Sequence, residues 1–254
     1  MRKMRKLKKR NTLIVDGDIL IHRTAARVET SVCWDPDREI WSTYGDLKEA
    51  KAIVETEVNY LRELLGGVHV IITLSPRKTF RHDLYPEYKA NRKNKPKPML
   101  FGALRGWVKT AYDSWEFPNL EADDVMGILA KSHVVPAPKI IISADHDMEG
   151  VPCNLYKPGS NRNRVRTITY EAARRYHLYQ TLTGDSGDNY PGLPGVGPKR
   201  AEAILQENTW AEVVEAYESK GLNETEALLQ ARLAKILTPP LYDIKTERIK
   251  LWTP

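Results

Sequence analysis

The chain has 254 residues, 41% hydrophobic and 28% charged, with a formal net charge of +6 and a pI near 9.1. This composition excludes global disorder, no apolar stretch approaches the ~18 residues a bilayer span needs, and the N-terminus lacks the apolar core of a signal peptide. Two cysteines, Cys33 and Cys153, are too few for a disulfide framework or a thiolate zinc site and fit a reducing cytoplasm, while the basic balance suits nucleic acid or another anionic surface.

Residues 1–10 hold seven Lys or Arg, a density that reads either as a solvated tail or as a nucleic-acid-binding arm. Thr12 to Val15 is a short apolar run that stops at Asp16-Gly17-Asp18, as a buried strand does where it enters a loop. Apolar residues at helical spacing from Leu47 to Leu65, closed by Gly66-Gly67, predict a helix over 46–65. Val68–Leu74 and Lys139–Ala144 predict two further strands, and helices are expected at about 101–112, 122–132 and 170–182. Strands alternating with helices imply a mainly parallel sheet covered on both faces, with ligands beyond the carboxyl ends of its strands. After about residue 167 the Val/Ile runs vanish and helical patterns take over, which puts a soft boundary there.

Acidic residues occur in four separated groups: Asp16; Glu121, Asp123 and Asp124; Asp145 and Asp147; Asp185 and Asp188. Each has an ordinary reading. Asp16-Gly17 is a common turn, acids in a first helical turn cap it, Asp145 and Asp147 suit a solvated loop, and Asp185 and Asp188 a plain turn. Three acids within four residues exceed what capping needs, and Asp145 and Asp147, alternating on an extended segment after a clean strand, face one side. Gathered at one sheet edge, so many carboxylates repel one another unless a hard divalent cation joins them, and Mg²⁺ or Mn²⁺ prefers such oxygen ligands. A carboxylate pocket in a cationic chain points to metal-assisted attack on a polyanion. The histidines show no zinc spacing, and neither a nucleophile elbow nor a Walker-type loop is present.

Two segments suit phosphate. Gly192-Leu193-Pro194-Gly195-Val196-Gly197-Pro198-Lys199-Arg200 precedes a predicted helix over 201–206. A Gly-apolar-Gly turn between short helices is the pattern of a helix-hairpin-helix, whose glycines admit a phosphate to backbone N–H groups; the plain alternative is a Gly/Pro connector. Lys89 to Lys97 carries five cations and no acid, with Tyr88 at its edge, a combination that suits single-stranded nucleic acid, through backbone neutralisation and base stacking on the aromatic ring, or a solvated loop.

In this order, Val15-Asp16-Gly17, Tyr88-Lys89-Ala90-Asn91-Arg92, Glu121-Ala122-Asp123-Asp124, Ser143-Ala144-Asp145-His146-Asp147, Gly184-Asp185-Ser186-Gly187-Asp188-Asn189 and the Gly192–Lys199 turn resemble the 5′-to-3′ exonuclease and flap endonuclease family, with the compact bacteriophage replication exonucleases the nearest branch. The resemblance covers about residues 13–205. It implies a PIN-like α/β core over 11–167 with a basic arch-like segment at 85–110, followed by a helical region over 168–254 with the helix-hairpin-helix at about 184–206. It implies hydrolysis of DNA phosphodiesters at 5′ ends or flaps in replication, within the cytoplasm of a bacterial host if the gene belongs to a phage. Two Mg²⁺, replaceable by Mn²⁺, would be held by Asp16, Glu121, Asp123, Asp124, Asp145, Asp147, Asp185 and Asp188, with Asp16, Asp123 and Asp145 central to catalysis.

By the same resemblance, Lys89 and Arg92 would reach the scissile phosphate. Tyr88, Lys93, Gly195, Gly197, Lys199 and Arg200 would join them in DNA binding, with K⁺ at the hairpin. Replication proteins are conceivable partners that the sequence does not identify. One position departs from the pattern. Many members carry an acid just after the second strand, where this chain has Leu74-Ser75-Pro76, and Asp18 is the one nearby substitute. The rival readings are a PIN-type ribonuclease, which would not need the hairpin, and a non-catalytic DNA-binding relative.

Overall fold

The computed structural model describes residues 10–93, 95–159 and 164–254; apart from Arg10, the basic run at 1–10 lies outside the described residues. In chain order the elements are β1 (Asn11–Asp16), α1 (Gly17–Arg27), β2 (Glu29–Asp35), β3 (Ile40–Gly45), α2 (Leu47–Leu65), β4 (Gly67–Thr73), α3 (Phe80–Leu84), α4 (Phe101–Ala111), β5 (Asp113–Trp115), α5 (Ala122–Lys131), β6 (Lys139–Ile142), β7 (Asn154–Tyr156), β8 (Arg166–Thr167), α6 (Tyr170–Thr183), α7 (Pro198–Ile204), α8 (Trp210–Glu218) and α9 (Glu224–Ala234). A short ribbon, Tyr242–Asp243 with Arg248–Ile249, follows.

The main sheet has the order β5-β4-β1-β6-β7-β8. All neighbours are parallel except β7 with β8, so the sheet is mainly parallel as expected. β1 lies at its centre, and its alternation divides the core. Leu13 and Val15 join Val70, Ile72, Ile140 and Ile142 under α1, α2 and α4. Ile14 joins Ile71 and Ile141 on the opposite face, against Val125, Met126, Ile128 and Leu129 of α5. Successive strand residues point to opposite faces, so burial on both sides requires the near-continuous apolar runs that betray these strands in the sequence.

Local chemistry sets the helix limits. Asp46 caps α2 by accepting from Lys48 N and Glu49 N, and Gly66, at φ 66°, closes it. α7 starts three residues earlier than expected, because Pro198 sits at its first turn, where a missing N–H costs nothing. A third apolar cluster binds α6 to α9 through Leu178, Leu182, Leu193, Leu205, Val213 and Tyr217. The last segment then returns to the sheet, where Ile236, Leu237 and Tyr242 pack with Ile14 and Ile141. The β2–β3 hairpin and the short strands β5, β7 and β8 are elements that the sequence reading did not place. No helix among the described residues is long and apolar enough to cross a membrane.

Gly17 lets α1 leave β1 against the end of β4. A Cβ there would lie 2.5 Å from Ile72 Cγ2 and 2.6 Å from Thr73 O. Gly17→Ala is therefore expected to destabilise the fold by about 1–3 kcal/mol through overpacking. Urea denaturation checks this: the midpoint should fall with the m-value unchanged.

Candidate active site

Asp16 is the last residue of β1 and caps α1. Its Oδ1 accepts from Ile19 N at 3.0 Å and its Oδ2 from Ser143 Oγ at 2.8 Å, so the hydroxyl beyond β6 holds a carboxylate at the end of β1. The same Ser143 Oγ accepts from Asp145 N at 3.0 Å, and Asp145 Oδ1 accepts from Asp147 N at 2.9 Å. Gln180 on α6 donates to Asp147 Oδ1 at 2.5 Å. Burial raises Asp16 to about 6 and Asp147 to about 7; Asp18 and Asp145 add repulsion at the first, and Asp145, Asp188 and Asp185 at the second. Asp123, in the first turn of α5, is pushed well above the usual carboxylate range by burial and then by Asp16, Asp145, Asp147 and Glu121. All four groups predicted from the sequence thus act on one another electrostatically at the carboxyl edge of the sheet.

Opposite them stands a compensated cluster. Lys89 Nζ donates to Glu121 Oε1 at 2.6 Å and lies 3.4 Å from Asp188 Oδ2. Arg92 Nη2 donates to Asp188 Oδ1 at 2.5 Å, and Arg92 Nε to Gly187 O at 3.0 Å. Tyr88 Oη donates to Asp188 at 2.6 Å and to Glu121 at 3.0 Å. Burial works to raise Glu121, but Lys89 and then Arg81 outweigh it and bring the carboxyl down to about 2. Burial likewise works to lower Lys89, and Glu121 and Asp188 overcome it, so its ammonium is held charged. Burial raises Asp188. Asn91 donates to Ser186 O at 2.7 Å and Asn189 to Glu87 O at 2.7 Å, so the basic segment is fastened to the Asp185–Asp188 turn, where Asp185 Oδ1 accepts from Gly187 N and Asp188 N.

Three expectations are corrected. Asp124 is not offered to a ligand: it is fully buried, and its oxygens accept a bidentate pair from Arg81 at 2.6 and 2.9 Å, with Leu237 N and Glu121 N completing its shell. Tyr88 is no base-stacking platform, because its ring is 2% exposed and stacks on Tyr190 inside the protein. Asp18 does not stand in for the acid missing after β4: it accepts from Ser75 N at 3.0 Å and pairs with Arg105, which also donates to Ser75 O. Ser75 Oγ accepts from Ala122 N, so that position supports the start of α5.

The remaining predicted residues lie at the surface. Lys93, Lys199 and Arg200 are exposed. Gly195 has φ 75°, and a Cβ on Gly197 would meet nothing within 4 Å, which leaves the α6–α7 connection open to close approach. Ser143, Gln180 and Arg81 were given no role by sequence reasoning. Ser143 at least stood inside a recognisable motif, whereas the partners of Arg81 lie dozens of residues away or more: Asp124, Leu233 O at 2.9 Å and Lys235 O at 2.7 Å.

Among the described residues no three acidic or histidine side chains converge tightly enough to cage an ion with protein oxygens alone. The donor set still suits a hard, hydrated cation, which keeps several waters and takes only one or two carboxylates directly. Asp16, Asp123, Asp145 and Asp147 form no ion pair among the described residues and repel one another, the condition such a cation relieves.

Two outcomes follow from these charges. Arg81→Met strands Asp124 in the core and is expected to cost about 3–5 kcal/mol, with much of that loss recovered in Arg81→Met/Asp124→Asn; urea denaturation of the four-member cycle measures both terms. The folded pKa values of Asp16 and Asp147 exceed the unfolded 3.8, so between about 7 and 4 the folded state binds the extra protons and the ion-free protein gains stability from these groups as pH falls. A divalent ion binds the ionised forms. Its thermal stabilisation, on the order of 5–10 °C at a hundredfold excess over Kd, should be full above pH 7 and fade towards pH 4. Scanning calorimetry with and without chelator tests this, and a pH-independent increment would contradict it.

Comparison with known proteins agrees with this geometry. The model of the 5′-3′ exonuclease N-terminal resolvase-like domain matches residues 11–162. The chain is 27% identical to an exodeoxyribonuclease of Enterobacteria phage T3, over 95% of this chain and 92% of that protein. It is 25% identical to the flap endonuclease Xni of Shewanella oneidensis, over 92% and 90%. Among solved structures, the phage T5 D15 protein co-crystallised with metal ions superposes with a TM-score of 0.62 at 20% identity, covering 89% of each chain. The catalytic core of Rad2 in complex with DNA substrate gives a TM-score of 0.53 at 17% identity, covering 88% of this chain and 70% of that one. With a domain model matched over residues 11–162 and relatives aligned over nearly its full length, the chain belongs to the 5′-3′ exonuclease family.

Proposed function

We propose that this protein is a Mg²⁺-dependent 5′-to-3′ deoxyribonuclease that hydrolyses phosphodiesters at 5′ ends and flaps of DNA during replication, in the cytoplasm of the host cell. The observation that carries the reading is the meeting of two charge sets, an unpaired group of carboxylates beside Lys89 and Arg92. Asp16, Asp123, Asp145 and Asp147, with Glu121, Asp185 and Asp188 around them, would hold two Mg²⁺, or Mn²⁺ in their place. Bound there, such ions supply Lewis acidity at the phosphoryl oxygens and a lowered pKa for water.

The chain's own groups do the rest. Ser143 and Gln180 orient Asp16 and Asp147. Lys89 and Arg92 direct N–H donors at Glu121 and Asp188, and an incoming phosphate competes with those carboxylates for the same donors; the charge developing on its oxygens is then met by positive groups already in place. The open backbone at Gly195 and Gly197, with Lys199 and Arg200 beside it, would take a duplex phosphate, with K⁺ as a further neutralising ion, and so set register without reading sequence. In this reading α6 and α7 are the two helices of a helix-hairpin-helix, and the region after about 167 is the DNA-holding part of the molecule.

The test is cleavage of 5′-labelled blunt, nicked and flapped DNA beside matched RNA, with Mg²⁺ or with chelator. Mg²⁺-dependent release of 5′-phosphorylated mononucleotides or short oligonucleotides is expected. Asp145→Asn and Asp147→Asn should each lose at least about a hundredfold in kcat while retaining DNA binding. Wild-type turnover in either variant would refute the site, and preferential cutting of RNA would favour a PIN-type ribonuclease.

A further inference from the structure

One more face of α6 lines a cavity that the carboxylate site does not use. Gln180 reaches Asp147, whereas Arg174 and His177 border a cavity of about 610 Å³ closed by Trp210, Lys235 and Trp252. The aromatic walls are fixed. Trp252 meets the rings of His177 at 4.8 Å and Trp210 at 5.1 Å, both edge to face, Trp210 Nε1 donates to Glu224 at 2.8 Å, and Arg232 donates to Trp252 O. Tyr170, 69% exposed, stands at the rim.

The charge of this cavity is one-sided. Lys131, Arg174 and Lys235 line it, no acidic side chain does, and the side chains of the three make no ion pair or hydrogen bond among the described residues. Burial, with no carboxylate to offset it, brings Lys235 down to about 8. His177 does not compensate: burial and then Lys235 lower it to about 3, and its Nε2 is engaged with Ala231 O at 2.8 Å. A desolvated cation without a counter-ion is unfavourable and selects an anionic occupant. Aromatic walls select a planar one, and the volume suits a single small-molecule ligand.

We propose that this cavity binds one unstacked nucleotide, its base against the tryptophan walls and its phosphate towards Lys235 and Arg174. The same chemistry is presented by a free 5′-mononucleotide and by a nucleotide within a single strand. The site is separate from the carboxylate cluster and does not depend on the hydrolytic reading.

The test uses the full chain in chelator, so that nothing is hydrolysed, with thymidine 5′-monophosphate and octathymidylate as probes in tryptophan fluorescence titration and saturation-transfer NMR. Saturable binding of at least one probe is expected, weakened about tenfold or more by Lys235→Met and by Arg174→Gln, and unchanged in Lys48→Ala, an exposed cation of α2 outside the cavity lining. The tighter probe identifies the source of the nucleotide. Arg174 is exposed, so its variant carries the test even if Lys235→Met fails to fold. Absence of saturable binding by both probes would overturn the proposal, and so would a loss in Lys89→Ala with none in the cavity variants, which would place the nucleotide at the carboxylate site.

Discussion

Repulsion among carboxylates at the carboxyl edge of the sheet is the constraint around which the rest of the molecule is organised. β1, β6 and the start of α5 each deliver an acid there, and Asp16, Asp123, Asp145 and Asp147 meet no fixed cation among the described residues. Such an arrangement costs folding energy in proportion to burial, and the fold must recover it elsewhere. It does so in the double-sided core around Leu13, Ile14, Ile71 and Ile141, all fully buried directly beneath the charged edge. A site strained in this way stays open to a divalent ion because no protein group has neutralised it.

The neighbouring cluster shows the opposite choice. Glu121 and Asp188 are acids of the same four groups, yet Lys89, Arg92 and Tyr88 satisfy them. The carboxylates thus divide into a set that meets no cation and a set whose charge Lys89 and Arg92 already balance. Asp124 belongs to neither set. Its pairing with Arg81, which also binds Leu233 O and Lys235 O, ties the first turn of α5 to the end of α9 and so fixes Glu121 relative to the helical region.

How much of this was legible depended on the range of each interaction. Asp16 and Asp145 could be read because a buried strand is a continuous apolar run, and its stop marks the edge where ligands bind. The role of Asp124 could not, since a capping acid, a metal ligand and a buried ion-pair partner look alike until Arg81, remote in sequence, is brought beside it. Tyr88 misled for a related reason: an aromatic next to cations suits a stacking platform, and only its burial under Tyr190 shows that the hydroxyl, bonded to Asp188, is the end turned to the carboxylates. The β2–β3 hairpin escaped because Trp34 and Trp41 are both largely exposed, which leaves no one-sided apolar period to detect.

The absent acid after β4 is best understood through what replaces it. Ser75 caps Ala122 N, and Arg105 joins Ser75 O, Asp18 and Glu116 into one group whose second cation is Lys109, paired with Glu116. An unpaired acid at Ser75 would have added a further like charge to the edge; the serine instead spends its hydroxyl on holding the helix that carries Asp123. The departure therefore replaces a further like charge at the end of β4 by a hydrogen bond that stiffens the first turn of α5, beside the carboxylates beyond β1 and β6.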